Sequence, residues 1–214
     1  TYFIGVTHTV AVLSIYGTGL MQLMNGDWNA EPLSGLEFFD KTGVFRTEAT
    51  GNSNKHGNDS WAYDQRGIDY ICRDQMGYND ALDWKLFRRK DRDEFQRIMI
   101  KAAANDNYPF ENGAHIRDAY VHTLSQEADL HMDERTWEPC ILYVNGQYWG
   151  VYDYREKVDD HDFTSYYYDQ DENNLQFLKT WGGTWSEYGG AQAQNDWNAF
   201  SSFVTSNNMQ TAAN

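Results

Sequence analysis

Residues 139–163 read PCILYVNGQYWGVYDYREKVDDHDF, and the fold turns on this stretch. An apolar run (Cys140, Ile141, Leu142, Tyr143, Val144) leads into Asn145-Gly146, and a second run follows with Tyr148, Trp149, Val151, Tyr152 and Tyr154. Asn-Gly between two such runs is the strongest short-range hairpin signal, because both residues accept the positive φ of a type I′ turn. The second strand then enters a charge cluster: Asp153, Arg155, Glu156, Lys157, Asp159, Asp160, His161 and Asp162. A strand ending in packed opposite charges can hold a polar site rigidly, and a strand leaving the core for solvent carries the same pattern.

Around this hairpin, 214 residues suffice for a substantial core, and one domain over 1–214 is the natural count. Aromatic residues make up 16 % of the chain while its mean hydropathy is −0.76, which describes a folded protein with a wet surface rather than a disordered one. With 32 acidic against 17 basic residues the net charge is −15, which argues against nucleic-acid backbone binding as the main task. No apolar run approaches the ~18 residues of a membrane span, and no segment has the signal-peptide pattern. Position 1 falls just before a strand, so the expectation is an edge cut from a longer protein. Cys72 and Cys140 give neither a disulfide framework nor a zinc pattern. Both fall in predicted strands, which leaves two buried free thiols or a bridge between neighbouring strands.

Taken in order, residues 8–15 (HTVAVLSI) read as a strand with Val10 and Val12 on one face and Ala11, Leu13 and Ile15 on the other. GLEFF (35–39) and VFRTE (44–48) predict a hairpin around Asp40-Lys41-Thr42-Gly43. Residues 50–65 are polar and turn-rich and read as a long surface loop. Arg66 then enters a strand, GIDYICR, whose apolar face is Ile68, Tyr70 and Cys72. A short helix is expected over 79–87 and a strand over 95–102, with Phe95, Arg97, Met99 and Lys101 on one side and Gln96, Ile98 and Ile100 on the other. Ile116, Ala119, Tyr120, Thr123 and Leu124 recur at helical spacing within 115–130. Residues 163–168 look helical, 175–179 form a strand candidate, and GGTWSEYGG (182–190) reads as a loop. Ala193, Trp197, Phe200 and Val204 fit one helix face. The expected class is α+β: a mixed, mainly antiparallel sheet with packed helices.

Neither GxxxxGK[ST] nor GxGxxG occurs, so no ordinary nucleotide-binding loop is signalled. Asp169, Asp171 and Asn173 begin like a calcium loop, but Asn174 and Thr180 replace its glycine and glutamate. GxSxG is absent, which leaves hydrolase chemistry unsupported. The cations Arg66, Lys101, Arg117 and Arg155 stand at or near the ends of predicted strands or helices. Arg117 falls in a first helical turn, where the macrodipole disfavours a cation, so it is expected to hold an anion: a phosphate, or an internal carboxylate such as Glu156 or Asp118. Glu156, Asp159, Asp160 and Asp162 could bind Mg²⁺ with a nucleotide, or could be a helix N-terminus drawing negative charge.

The runs FQRIMIKAAANDNY, HIRDAYVHTLSQEADL and PCILYVNGQYWGVYDYREKVDDHDF together resemble the CotH family, the spore-coat-H kinase-like proteins. The family pattern is a strand, an Arg-Asp helix, then NG-x-Y-x-G-x-Y and a Glu near Val-Asp. Here these are Arg117-Asp118, Asn145-Gly146, Tyr148, Gly150, Tyr152, Glu156 and Val158-Asp159. Upstream, Asn58, Ser60 and Arg66 fall at marked positions of a second family segment, and the resemblance spans about 35–203.

The resemblance implies a divergent protein-kinase-like fold, secreted or at the cell surface, that transfers phosphate from ATP to protein Ser/Thr with Mg²⁺ or Mn²⁺. It implies phosphate contacts from Arg66 and Lys101, a metal- or cation-orienting Glu156 supported by Arg117, and Asp159 and Asp162 as weak metal candidates. Partners would be a protein substrate or an extracellular assembly. Arg66 stands where many relatives have Lys, and the family's W-D-x-D-x-x-[FY]-G aspartates are missing, so the expectation is the N-terminal part of a domain that lacks its catalytic groups. The rival reading is a non-catalytic extracellular adhesion or glycan-binding module, motivated by surface acidity and by Trp181, Trp185 and Tyr188 in predicted loops.

Overall fold

The structure, a computed structural model, describes residues 5–58, 61, 63–76, 79–106 and 113–211. Eleven strands and four α-helices follow one another among them: β1 (Ala11–Tyr16), α1 (Leu20–Met24), β2 (Leu33–Phe39), β3 (Phe45–His56), β4 (Gly67–Cys72), β5 (Leu82–Asp83), β6 (Glu94–Phe95), β7 (Arg97–Lys101), α2 (Arg117–Glu127), β8 (Trp137–Val144), β9 (Gln147–Glu156), α3 (His161–Tyr168), β10 (Phe177–Thr180), β11 (Thr184–Tyr188) and α4 (Gly190–Ser206). Packing divides the chain into two compact units, Thr1–Val158 and Asp159–Asn214. The single domain expected from sequence is a statement about independent folding, which this division does not decide.

The first unit is a closed barrel of seven strands in the order β1-β2-β3-β4-β7-β9-β8. Neighbours are antiparallel except at the closure, where β1 runs parallel to β8 with Ala11 opposite Cys140 and Ile15 opposite Val144. Closure removes the unpaired edges that an open sheet would expose. This corrects the expected α+β, protein-kinase-like arrangement of a mixed, mainly antiparallel sheet with packed helices: the sheet closes into a barrel, and the molecule is mostly β, with few helices.

Period-2 alternation fills the barrel. Leu13, Ile15, Leu36, Phe38, Ile68, Tyr70, Ile98, Ile100, Cys140, Leu142, Tyr152 and Tyr154 point inward to one buried cluster, as a small barrel requires, and Leu20, Leu23 and Met24 of α1 join it. Asn145 (φ 50°) and Gly146 (φ 78°) make the two-residue turn between β8 and β9, with Val144 opposite Gln147. The ladder is irregular just beyond, between Leu142 and Tyr143, and Gly150 there has φ 139°. A side chain at Gly150 would be strained by this φ, and its Cβ would also displace the end of the Gln65 side chain, 2.1 Å away.

Strand β3 overturns the long loop expected over 50–65, since it continues to His56. Its buried positions Thr47, Ala49, Gly51 and Ser53 are all small, which makes room for the large residues across the barrel. The side chain of Tyr70 uses that room, and its hydroxyl reaches the Ser34 and Ala49 carbonyls at 3.0 and 2.7 Å. Residues 79–87 contain the short strand β5 rather than a helix. Helix α2 forms as expected, but the expected apolar face is largely open: Ile116, Tyr120 and Leu124 are exposed. Polar contacts attach the helix to the barrel wall, including Trp137 Nε1 to Thr123 Oγ1 at 2.9 Å and Gln126 Nε2 to Thr136 Oγ1 at 2.8 Å.

In the second unit, α3 and α4 form where expected, and β10 and β11 pair antiparallel, so the segment 182–190 contains a strand rather than only a loop. Both cysteines are free and buried.

Candidate functional site

Alternation along β9 sorts the charge cluster. Tyr152, Tyr154 and Glu156 belong to the inward face, while Asp153 and Arg155 point outward, opposite Lys101 and Met99 of β7. The outward set is covered by the start of α2. Arg155 is 1 % exposed, its Nε meets Asp153 Oδ1 at 2.6 Å and its Nη2 meets Asp153 Oδ2 at 3.0 Å, a bidentate pair. Its Nη1 donates to Asp118 Oδ2 at 2.5 Å, and Lys101 Nζ donates to the same oxygen at 2.6 Å. His122, one turn along α2, lies 3.4 Å from Asp118 Oδ1.

Titration follows from this arrangement. The His122 imidazole, then the Arg155 and Lys101 cations, hold the Asp118 carboxyl well below the usual range against the opposing effect of burial. Burial and the adjacent Arg155 charge push the Lys101 ammonium down, despite Asp118. Burial acts against the Arg155 cation, but its bonds to Asp153 and Asp118 raise its pKa overall. Two cations and two carboxylates are thus balanced on a half-dry wall, with Lys101 as the least committed cation: it has one carboxylate, which it shares with Arg155.

The other residues expected at the site lie elsewhere. Arg66 Nη1 donates to the Met24 carbonyl at 2.9 Å, and its guanidinium stands 5.9 Å from the Trp61 ring centre. Glu156 is fully buried and accepts from Arg92 Nη1 at 3.4 Å. The two keep different partners. Arg117 lies over Asp106, with Nη2 at 3.1 Å from Oδ1 and its backbone amide at 2.7 Å from Oδ2. It is therefore placed with Asp106, where the sequence suggested Glu156 or Asp118. Ser60 lies outside the described residues. In the second unit, Asp159 Oδ2 pairs with Lys179 Nζ at 2.7 Å. Asp162 groups with Asp160 and His161, each offering a ligand atom within 4.8 Å of the others.

Sequence reading named Asp153 within the charge cluster but gave it no partner, and it did not single out Arg92 or Asp106. The Asp153–Arg155 pairing could have been read: the two are two residues apart, so the strand period puts both on one face. Arg92 and Asp106 lie in irregular segments, where no period announces a partner.

The family model described as CotH kinase protein matches residues 78–212, beginning after Arg66 and running through the hairpin to the end of α4. No curated protein matches the chain. The match spans β7, α2, the β8–β9 hairpin and the whole described second unit, and it covers well over half of the sequence: the chain belongs to the CotH kinase protein family.

Proposed function

We propose that this protein acts as a CotH-type protein kinase, outside the cell, transferring phosphate from ATP to protein Ser/Thr. The family match carries the reading. The Lys101–Asp118 pair supports it, because protein kinases hold a phosphate-binding lysine by an ion pair from a strand to a helix carboxylate.

A nucleotide with its divalent cation fits some of these residues and not others. Lys101 suits a phosphate contact: it is a strand cation with one shared partner, and Asp118 is over a third exposed on the same side. Glu156 does not suit a metal, because it is sealed from solvent and faces Arg92. Within the second unit, taken by itself, the Asp160 and Asp162 carboxylates offer oxygen ligands of the kind Mg²⁺ or Mn²⁺ takes, although the imidazole between them is a less usual ligand for Mg²⁺. When bound, ATP would supply the phosphoryl group. Lys101 would neutralise phosphate charge, Asp118 would hold Lys101 in place, and Arg155 would fix Asp118.

Calorimetric titration of Mg²⁺-ATP into the full-length protein as encoded tests the reading. Saturable binding that is lost in Lys101→Ala and retained in Arg66→Ala is expected. Undetectable binding to the wild type would end it.

A second reading, a glycan-binding or adhesion module, is favoured by Trp181, which is 86 % exposed at the β10–β11 turn, with Trp185 partly exposed on β11. Aromatic faces presented in this way can stack on sugars or on a partner chain. A glycan screen that gives the same silent result for wild type and Trp181→Ala would remove it.

A further inference from the structure

Beyond the wall that holds Lys101, the segment after α2 folds over a cavity of about 320 Å³ lined by Arg89, Ser125, Gln126, Leu130, Met132 and Glu134, among others. Glu134 is only 9 % exposed. One of its carboxylate oxygens, Oε1, accepts from the Ser125 hydroxyl, itself buried. Among the described residues no Lys, Arg or His nitrogen is paired with Glu134, and its other oxygen is not sealed off as a buried orphan. A carboxylate that is nearly buried, lies on the wall of a cavity and has one hydroxyl as its partner keeps acceptor capacity that an incoming cation can use.

The neighbouring cations do not fill that role. Arg89 Nη1 is engaged by Glu127, and His131 Nδ1 lies 3.5 Å from Asp129. Across residues 127–135 the carboxylates Glu127, Asp129, Asp133 and Glu134 face one arginine, Arg135, so the local balance stays acidic even when Arg89 and Lys90 are added. Leu130 and Met132 are exposed at the cavity and offer apolar wall. A metal ion would need several oxygens within coordinating reach, and among the described residues only Asp160, His161 and Asp162 come that close to one another. One carboxylate beside aliphatic wall is instead the complement of a long basic side chain, whose stem lies on apolar surface while its head meets the anion.

We propose that this cavity is a docking subsite for a basic side chain, the guanidinium of an arginine or the ammonium of a lysine, presented by another polypeptide. Glu134 receives the cation, Ser125 fixes the carboxylate, and Leu130 and Met132 flank the stem. The site stands independently of phosphate transfer, so it can hold whether or not the chain binds ATP.

The test is an NMR titration of the 214-residue chain with N-acetyl-arginine methylamide, beside its neutral isostere N-acetyl-citrulline methylamide. Expected are saturable shifts in backbone amides of residues 125–134, with the citrulline probe and Glu134→Gln each weaker by about tenfold, the loss of one charge-assisted contact. Because the citrulline comparison uses the wild-type chain, it holds even if Glu134→Gln folds poorly. No saturable shift, equal binding of both probes, or preference for inorganic phosphate at the same amides would overturn the proposal.

Discussion

Lys101 Nζ and Asp118 Oδ2 stand 2.6 Å apart, and that same oxygen accepts from Arg155 Nη1 at 2.5 Å. One carboxylate oxygen therefore joins β7, β9 and α2. It is one of several carboxyls whose ionised form the fold selects: Asp40, Asp69 and Asp106 are also held below their ordinary value.

Acid should loosen the protein through these groups. At Asp40 burial opposes ionisation, but the Thr42 hydroxyl, the Arg46 guanidinium and the Thr42 and Val44 amides outweigh it and lower the pKa to about 2. A carboxyl depressed in the folded state contributes stability that is full above the unfolded pKa of about 3.9 and declines as pH falls through the folded value. The urea midpoint should thus fall between about pH 4 and pH 2, and Asp40→Asn should reduce that dependence. A midpoint unchanged on acidification from pH 5 to pH 2 would contradict this account.

Removing the guanidinium from Arg92→Leu should destabilise the barrel by about 3 kcal/mol, because Glu156, fully buried, loses a cation. The double variant Arg92→Leu with Glu156→Leu should recover much of that loss, since the carboxylate deprived of this cation is removed as well. Denaturant titrations of the two single variants and the double give the coupling directly, and purely additive losses would show that the pair does not act as a unit.

For Tyr70→Phe we expect a loss of about 1–2 kcal/mol at constant volume, as the buried Ser34 and Ala49 carbonyls lose a shared donor. The fold should survive, with unchanged far-ultraviolet dichroism. A variant as stable as wild type would mean that those carbonyls are satisfied otherwise.

Both thiols should be silent in the native protein. Burial pushes Cys72 up to about 12, with nearby Asp80 and Asp83 adding to the effect, and burial raises Cys140 well above its ordinary value. An aromatic disulfide reagent should label neither at pH 8 and both after denaturation, because the thiolate is the reacting form. Rapid labelling of one cysteine in the native state would place it at the surface.

Local signals carried over to the structure wherever the local period was strong. The β8–β9 hairpin follows from Asn145-Gly146, and the inward faces of β1, β4 and β7 follow from alternation in 11–15, 68–72 and 98–100. The site was legible in part. Lys101 could be named from its place at a strand end, whereas its partner Asp118 follows only from how α2 is laid on the wall. Glu156 carried a charge into an inward position, and an inward charge in a barrel becomes a paired internal group rather than an open ligand.

What the chain by itself determined is the pairing of near neighbours: the two hairpins, the helices α2 and α4, and membership of a family whose motif runs through the central hairpin. Only the tertiary structure decided that seven strands close on themselves, because β1 and β8 meet across more than a hundred residues in a parallel register that no local pattern encodes. It likewise decided that a polar, small-residue segment is a wall strand. Gly51 and Ser53 look like loop residues in isolation, and with Thr47 and Ala49 they belong in a barrel because its narrow interior already holds the large side chains of the strands opposite.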